Sequence, residues 1–293
     1  MNRYLEAKPL RTLAVWLPMM LHPLSAVASK VSAPELDDTN TTPTSNPVIE
    51  VPRCEAKDIP SVLHESGIDY EDKQRVFLDT LLPLVLMENE LVAEKRQKML
   101  THFASLARGE ALGAEAREWL RTLAVEYRVD RDPLQDVEAR RALLVRVDIV
   151  PVDLALAQAA TETGWGSSHS ARKDRDLFGM TALRTNRTVR TASGRLVRAA
   201  KFASLREAVR SYIHNLNSHD AYKSLWLIRT KLHNEQKPIQ GAVLAAGLTK
   251  YSTRGAGYIK QVRTVIHQYH LNRYVNARLL PGRTSATVIA YAN

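Results

Sequence analysis

The sequence predicts a mainly α (α+β) domain, on three observations. Apolar residues recur at helical spacing through most of residues 70–271, as in Phe77, Leu81, Leu84 and Val85 or Ile259, Val262, Val265 and Ile266. Only one stretch, Thr188 to Arg198, has paired strand character, with Ser193-Gly194 as its turn. The chain of 293 residues is 45% hydrophobic and 25% charged, a globular balance with enough length for a sizeable core.

In order, residues 1–28 carry the marks of an export signal. Arg3, Lys8 and Arg11 precede a short apolar run, Leu13 to Leu21, and Ala26-Val27-Ala28 gives the small-x-small cleavage pattern. That run is too short to span a bilayer comfortably, so no stable membrane insertion is expected once the signal is removed. Residues 29–60, rich in Thr, Asp, Asn and Pro, predict a flexible linker. The domain is expected over 61–272, followed by a C-terminal tail, 273–293. An exported protein, periplasmic or extracellular at the cell wall, fits this layout.

Helices are expected over Tyr70–Leu106, with Pro83 kinking or restarting the first, and over Glu115–Leu123 and Asp136–Val145. The charged face of the first, Glu88, Glu90, Glu94, Lys95, Arg96 and Lys98, predicts solvated charge. Asp130 and Asp132 lack the Gly and terminal Glu of a calcium loop and fit turns and caps. After the hairpin come helices over Leu205–Leu216, capped by Ser204, then Leu225–His233, Ile239–Gly247 and Tyr258–Leu271. No cofactor motif or metal site is expected. The single cysteine, Cys54, excludes an internal disulfide and a thiolate cluster. The formal charge of +10 points to an anionic partner, but no zinc-finger, RNP-like or basic-zipper pattern supports nucleic acid.

The segment Asp153 to Met180 is the chemical centre. Asp153 is a good N-cap, and Leu154 to Thr161 is a helix so slim that it can be packed on all sides. Glu162 ends it, and Gly164-Trp165-Gly166 breaks it. A carboxylate there meets the carbonyl end of the helix dipole, and an aromatic wall would raise its pKa further. A general acid is made in this way. The plainer alternative is a surface acid at the end of a core helix.

Leu154-Ala155-Leu156-Ala157-Gln158-Ala159-Ala160, Glu162-Thr163-Gly164-Trp165-Gly166 and Leu177-Phe178-Gly179 together resemble the catalytic core of glycoside hydrolase family 73, in its Bax-like branch. Lys73-Gln74-Arg75-Val76-Phe77 with Leu81-Leu82-Pro83-Leu84-Val85, Asn215 to His219 with Ala221-Tyr222, and Gly247-Leu248 with Tyr251-Ser252 and Gly257-Tyr258, extend the resemblance over about residues 60–272. It implies a lysozyme-like helical domain with a small β-hairpin lobe. It also implies an endo-β-N-acetylglucosaminidase acting on peptidoglycan glycan strands, at the bond between N-acetylglucosamine and N-acetylmuramic acid, with Glu162 as general acid. Tyr251, Tyr258, Trp165 and Phe178 are the implied substrate-binding residues. Trp165 would pack under the active-site helix, and Tyr258 would either line the cleft or join the core.

One departure from the family pattern stands out. Many members carry a second acid in the β-lobe, yet no Asp or Glu lies between Asp176 and Glu207. Arg184, Arg187, Arg190, Arg195, Arg198 and Lys201 occupy that lobe, and Glu207 is placed for a capping box with Ser204. A substrate acetamido group or Asp174 or Asp176 would then have to serve. Otherwise the chain is a lytic transglycosylase, which needs one acid and no water, or a non-catalytic cell-wall-binding module.

Overall fold

The computed structural model describes residues 48–65, 67–180 and 200–281 with their side chains, and the backbone of 188–190 and 196–198. The expected signal, most of the expected linker and the chain's last residues lie outside the described residues, as do the side chains of the lobe arginines. All described residues fall in one unit, Ser45–Asn293.

Nine α-helices are described, and their positions follow the sequence periodicity closely. The first, α1 (Tyr70–Ala107), is capped by Asp69, whose side chain accepts from the Glu71 amide at 2.8 Å. It runs unbroken through Pro83, which is buried in the core. Neither a break nor a restart occurs, because burial of Phe77, Leu81, Leu84 and Val85 holds both halves to the same neighbours. Then come α2 (Ala114–Glu126) and α3 (Val137–Arg146), capped by Asp136. Both close a second, smaller core around Met99, Leu120, Leu123, Tyr127 and Leu143 with the end of α1.

The lean helix α4 (Val152–Thr163) is central: Leu154, Ala155, Leu156, Ala157, Gln158 and Ala159 have no exposure. It packs against α1, and against α8 (Gly241–Leu244) and α9 (Ala256–Gln268). Its small side chains let these neighbours close around it. Asp153 is not its cap. The helix starts at Val152, with Pro151 as N-cap, and Asp153 is buried in the first turn. There its carboxylate accepts from the Gly241 amide at 3.0 Å and ties α8 to α4. A Cβ on Gly241 would meet Asp153 at 2.5 Å, so only glycine permits this contact.

A short helix the periodicity did not predict, α5 (His169–Asp174), follows Ser168, whose hydroxyl accepts from the Ala171 amide at 3.1 Å. Six mostly polar residues are too few to show a period. The predicted hairpin is present as antiparallel β2 (Thr188–Arg190) and β3 (Leu196–Arg198), with Val189 opposite Val197. Next come α6 (Leu205–Ser218), capped by Ser204 as predicted, and α7 (Lys223–Asn234). Glu207 serves this cap: it donates its amide to Ser204 Oγ, and its carboxylate accepts from the Ala203 amide.

Two expectations need correction. The domain begins earlier than composition indicates. Val51, Cys54 and Ile59, within the expected linker, are buried, and β1 (Glu50–Val51) pairs in parallel with β4 (Arg278–Leu279) from the expected tail. A polar-looking segment can still contribute if its few apolar residues land in the core. Glu88 is not part of a solvated face either. It is 2% exposed and accepts from Arg206 Nε at 2.6 Å and Arg210 Nε at 2.9 Å, joining α1 to α6.

Candidate active site

Local chain chemistry puts Glu162 where it is. At the end of α4 the backbone turns left-handed at three successive residues, Gly164 (φ 56°), Trp165 (φ 60°) and Gly166 (φ 81°). Glycine accepts this freely, whereas a bulky side chain costs about 1–2 kcal/mol. Trp165 is held there by burial, edge-on to Phe77 at 5.7 Å and to Tyr269 at 4.7 Å. A Cβ on Gly166 would crowd Leu63 and Phe77 at 3.1 Å. The Gly-Trp-Gly run therefore stops the helix one residue past Glu162 and locks the turn into the core.

The Leu177-Phe178-Gly179 loop covers the acid from the other side. Phe178 is buried and stacks on Tyr212 at 3.9 Å, with 7° between the rings. Asp176 holds the loop, its Oδ1 accepting from the Phe178 and Met180 amides, each at 3.1 Å. Gly179, at φ 62°, lies so close that a Cβ would stand 2.9 Å from Glu162 Oε2. From the third side comes Tyr258 on α9, whose hydroxyl is close enough to Glu162 to favour its ionised form. Tyr251 stacks on Tyr258 at 5.2 Å, and its hydroxyl donates to the Phe178 carbonyl at 2.8 Å. Arg254 lies over the outer face of the Tyr258 ring, 5.2 Å from its centre.

Glu162 itself is only partly covered, so one side remains open to solvent. Burial raises its pKa. The Tyr258 hydroxyl and the Arg254 charge oppose that rise, and the neighbouring Asp176 carboxylate adds to it. The result is a carboxyl raised from its ordinary range by burial, the direction a proton donor requires. Among the described residues no group of three or more His, Cys, Asp or Glu is placed to hold a metal ion.

Residues 138–271 match the glucosaminidase family model, described as mannosyl-glycoprotein endo-beta-N-acetylglucosaminidase. These residues form a glucosaminidase-family domain. They span α3 to α9 and contain Glu162, the Gly164-Trp165-Gly166 turn, the Leu177-Phe178-Gly179 loop, Tyr251, Arg254 and Tyr258. Protein bax of Escherichia coli (strain K12) is 31% identical over 186 residues, which is 64% of this chain and 66% of that protein. The chain thus spans just under two thirds of the length of the curated relative it matches.

Two solved structures are similar at low identity. The catalytic domain of the autolysin Auto from Listeria monocytogenes aligns at 17% identity and a TM-score of 0.33, over 60% of this chain and 96% of that one. A peptidoglycan hydrolase from Sphingomonas sp. A1 aligns at 23% and 0.33, over 52% and 92%. Superpositions this loose carry none of the chemistry below.

Within the glucosaminidase domain the predicted site residues separate. Glu162, Tyr251 and Tyr258 come together. Trp165 and Phe178, expected to bind substrate, are 6% and 1% exposed and sit in the core, where they shape the walls behind Glu162. Tyr258 is also fully buried and offers no exposed surface to a ligand. Sequence reading missed Gln158 and Tyr212. Tyr212 donates to Gln158 Oε1 at 2.7 Å, and Gln158 Nε2 donates to the Tyr258 hydroxyl at 3.0 Å. One signal was available: Gln158 is the one polar residue in the run Leu154–Ala160, one turn before Glu162 and on the same face.

Proposed function

We propose that this domain is a peptidoglycan hydrolase that cleaves the β-1,4 bond between N-acetylglucosamine and N-acetylmuramic acid, with Glu162 as general acid. The observation that carries the reading is Glu162 itself: a carboxyl at the end of α4, walled by Gly179 and faced by the Tyr258 hydroxyl, raised by burial, and open on one side. It would protonate the departing glycosidic oxygen as positive charge grows on the sugar ring. The glucosaminidase-family match over residues 138–271 supports the substrate class. The net charge of +10 suits an anionic polymer and an exported setting at the cell wall. Glu162→Gln keeps the shape of the side chain and removes the acid. Release of new reducing ends from purified sacculi should fall by about three orders of magnitude or more with thermal unfolding unchanged. Turnover equal to wild type would refute the assignment.

A lytic transglycosylase is the second reading, and one observation favours it. The acid nearest Glu162 in charge coupling is Asp176, yet it is buried and its oxygen is committed to the amides of the Leu-Phe-Gly loop. Among the described residues, the carboxylate coupled to Glu162 is thereby engaged by the loop and is not held ready to activate water. Mass spectrometry of digested sacculi separates the two: reducing N-acetylglucosamine ends for hydrolysis, 1,6-anhydro ends for transglycosylation.

A further inference from the structure

We propose that Gln158 and Tyr212 are positioning residues for Glu162, acting through the Tyr258 hydroxyl; this rests on the general-acid reading above. Two hydrogen bonds join Tyr212, Gln158 and Tyr258, drawn from α6, α4 and α9, and the Tyr258 hydroxyl at the end of this chain faces Glu162. Tyr212, Gln158 and Tyr258 have no exposure at all, so bulk water does not reach the two bonds that join them.

The direction of the chain follows from satisfying each proton. Among the described residues, the Tyr212 hydroxyl has one hydrogen-bond partner, Gln158 Oε1. A buried hydroxyl proton needs an acceptor, so Tyr212 must donate, and this fixes which end of the Gln158 amide faces it. The amide NH₂ then faces Tyr258, whose oxygen accepts at 3.0 Å. With that oxygen already accepting, the single Tyr258 proton is left to point at Glu162. A reversed amide would take the Tyr258 proton for itself and strand the Tyr212 proton in the core. Tyr212 thus sets the orientation of a proton two links away, and the end of the chain is a donor aimed at the ionised carboxylate.

A pre-aimed donor also holds the carboxylate in one rotamer as its charge changes during the reaction, which is where orientation contributes to rate. The other groups that face Glu162 are Arg254 and Tyr251, from the turn before α9, and Asp176, from the loop after α5. None of these is touched by changing Tyr212 or Gln158 side-chain polarity.

The test uses Tyr212→Phe and Gln158→Met in the full chain, each close to isosteric and remote from any bound glycan. Two readouts are taken: pH–rate profiles on soluble peptidoglycan glycan chains, and infrared titration of the Glu162 carboxyl, referenced to Glu162→Gln. In each variant kcat should drop about fivefold to tenfold, the loss expected for one hydrogen bond, with KM changed less than about twofold. The alkaline limb of kcat and the infrared midpoint should both move to higher pH, because the donor that favours ionised Glu162 has been loosened. A purely structural role would lower stability and leave both limb and midpoint in place, and that result in folded variants overturns the proposal. Retained turnover in Glu162→Gln would instead overturn the general-acid reading, while the infrared midpoint still judges the chain. Should either variant fail to fold, proton NMR of the wild type decides. A slowly exchanging Tyr258 hydroxyl proton must show a nuclear Overhauser contact to the Gln158 amide and shift as Glu162 ionises; its absence refutes the chain.

Discussion

At the residue scale, two single positions carry sharp consequences beyond Glu162. Gly179 combines a left-handed φ of 62° with a Cβ position 2.9 Å from Glu162 Oε2. Gly179→Ala therefore has to move either the loop or the acid. It should lose at least tenfold in kcat while costing about 1–2 kcal/mol in urea unfolding, the usual strain of a left-handed alanine. A variant with full activity would show that the loop is not held against Glu162. Asp153 is the second position. Burial raises its carboxyl to about 6, against the amides of Gly241 and Leu154 that favour its charge. A raised folded pKa means that the native state binds the proton more tightly than the unfolded chain. Stability from this group is thus full below about pH 4 and lost as pH rises through 6. Asp153→Asn can still accept from Gly241 and has no charge to bury. Its stability should decline less than wild type between pH 4 and 7, by on the order of 1–3 kcal/mol in denaturant titrations. Parallel curves for the two proteins would contradict the assignment.

At the element scale, the helices are joined by buried charge as well as by apolar contact. Glu88 on α1 accepts from two arginines of α6 while 2% exposed. Asp148, before α4, sits against Arg229 and His233 of α7 and Arg96 of α1. Burial alone would raise the Asp148 carboxyl, yet Arg229, His233 and Arg96 together hold it down to about 2. Arg229 also donates to the Ile149 and Val145 carbonyls and to Asn217, so it closes the α3–α4 connection that leads into the site. Such pairs add little when intact but cost heavily when halved. Glu88→Ala should destabilise by about 2–4 kcal/mol, since Arg206 would stay partly buried with only the exposed Glu55 left to pair with. Glu88→Gln, which retains one acceptor, should cost less. Equal stability of all three proteins in urea would mean that the pair is solvated in solution.

At the scale of the whole molecule, segments far apart in sequence close the domain. The Arg278 amide donates to the Ile49 carbonyl at 2.9 Å and the Leu280 amide to Val51 at 2.8 Å. Val51 is 7% exposed beneath this ribbon. A chain begun at Glu55 loses the ribbon and the burial of Val51, about 2 kcal/mol, so its Tm by calorimetry should fall by about 5 °C. An unchanged Tm would make residues 48–54 an ornament of the domain. The sequence by itself determined the helical class, the positions of the longer helices, the hairpin, the acid at the end of the slim helix and the glycines that stop it. All of these rest on local signals: period, caps and left-handed turns act over a few residues, whose identities are written side by side. Only the tertiary structure decided that Glu88 is buried, that Trp165 and Phe178 face inward, that the expected linker joins the core, and that Tyr212 and Tyr258 meet at Gln158. Those outcomes depend on which surfaces of different helices come into contact. The hydrogen bonds of Gln158 reach residues 54 and 100 positions further along the chain, and no pattern within one helix specifies either.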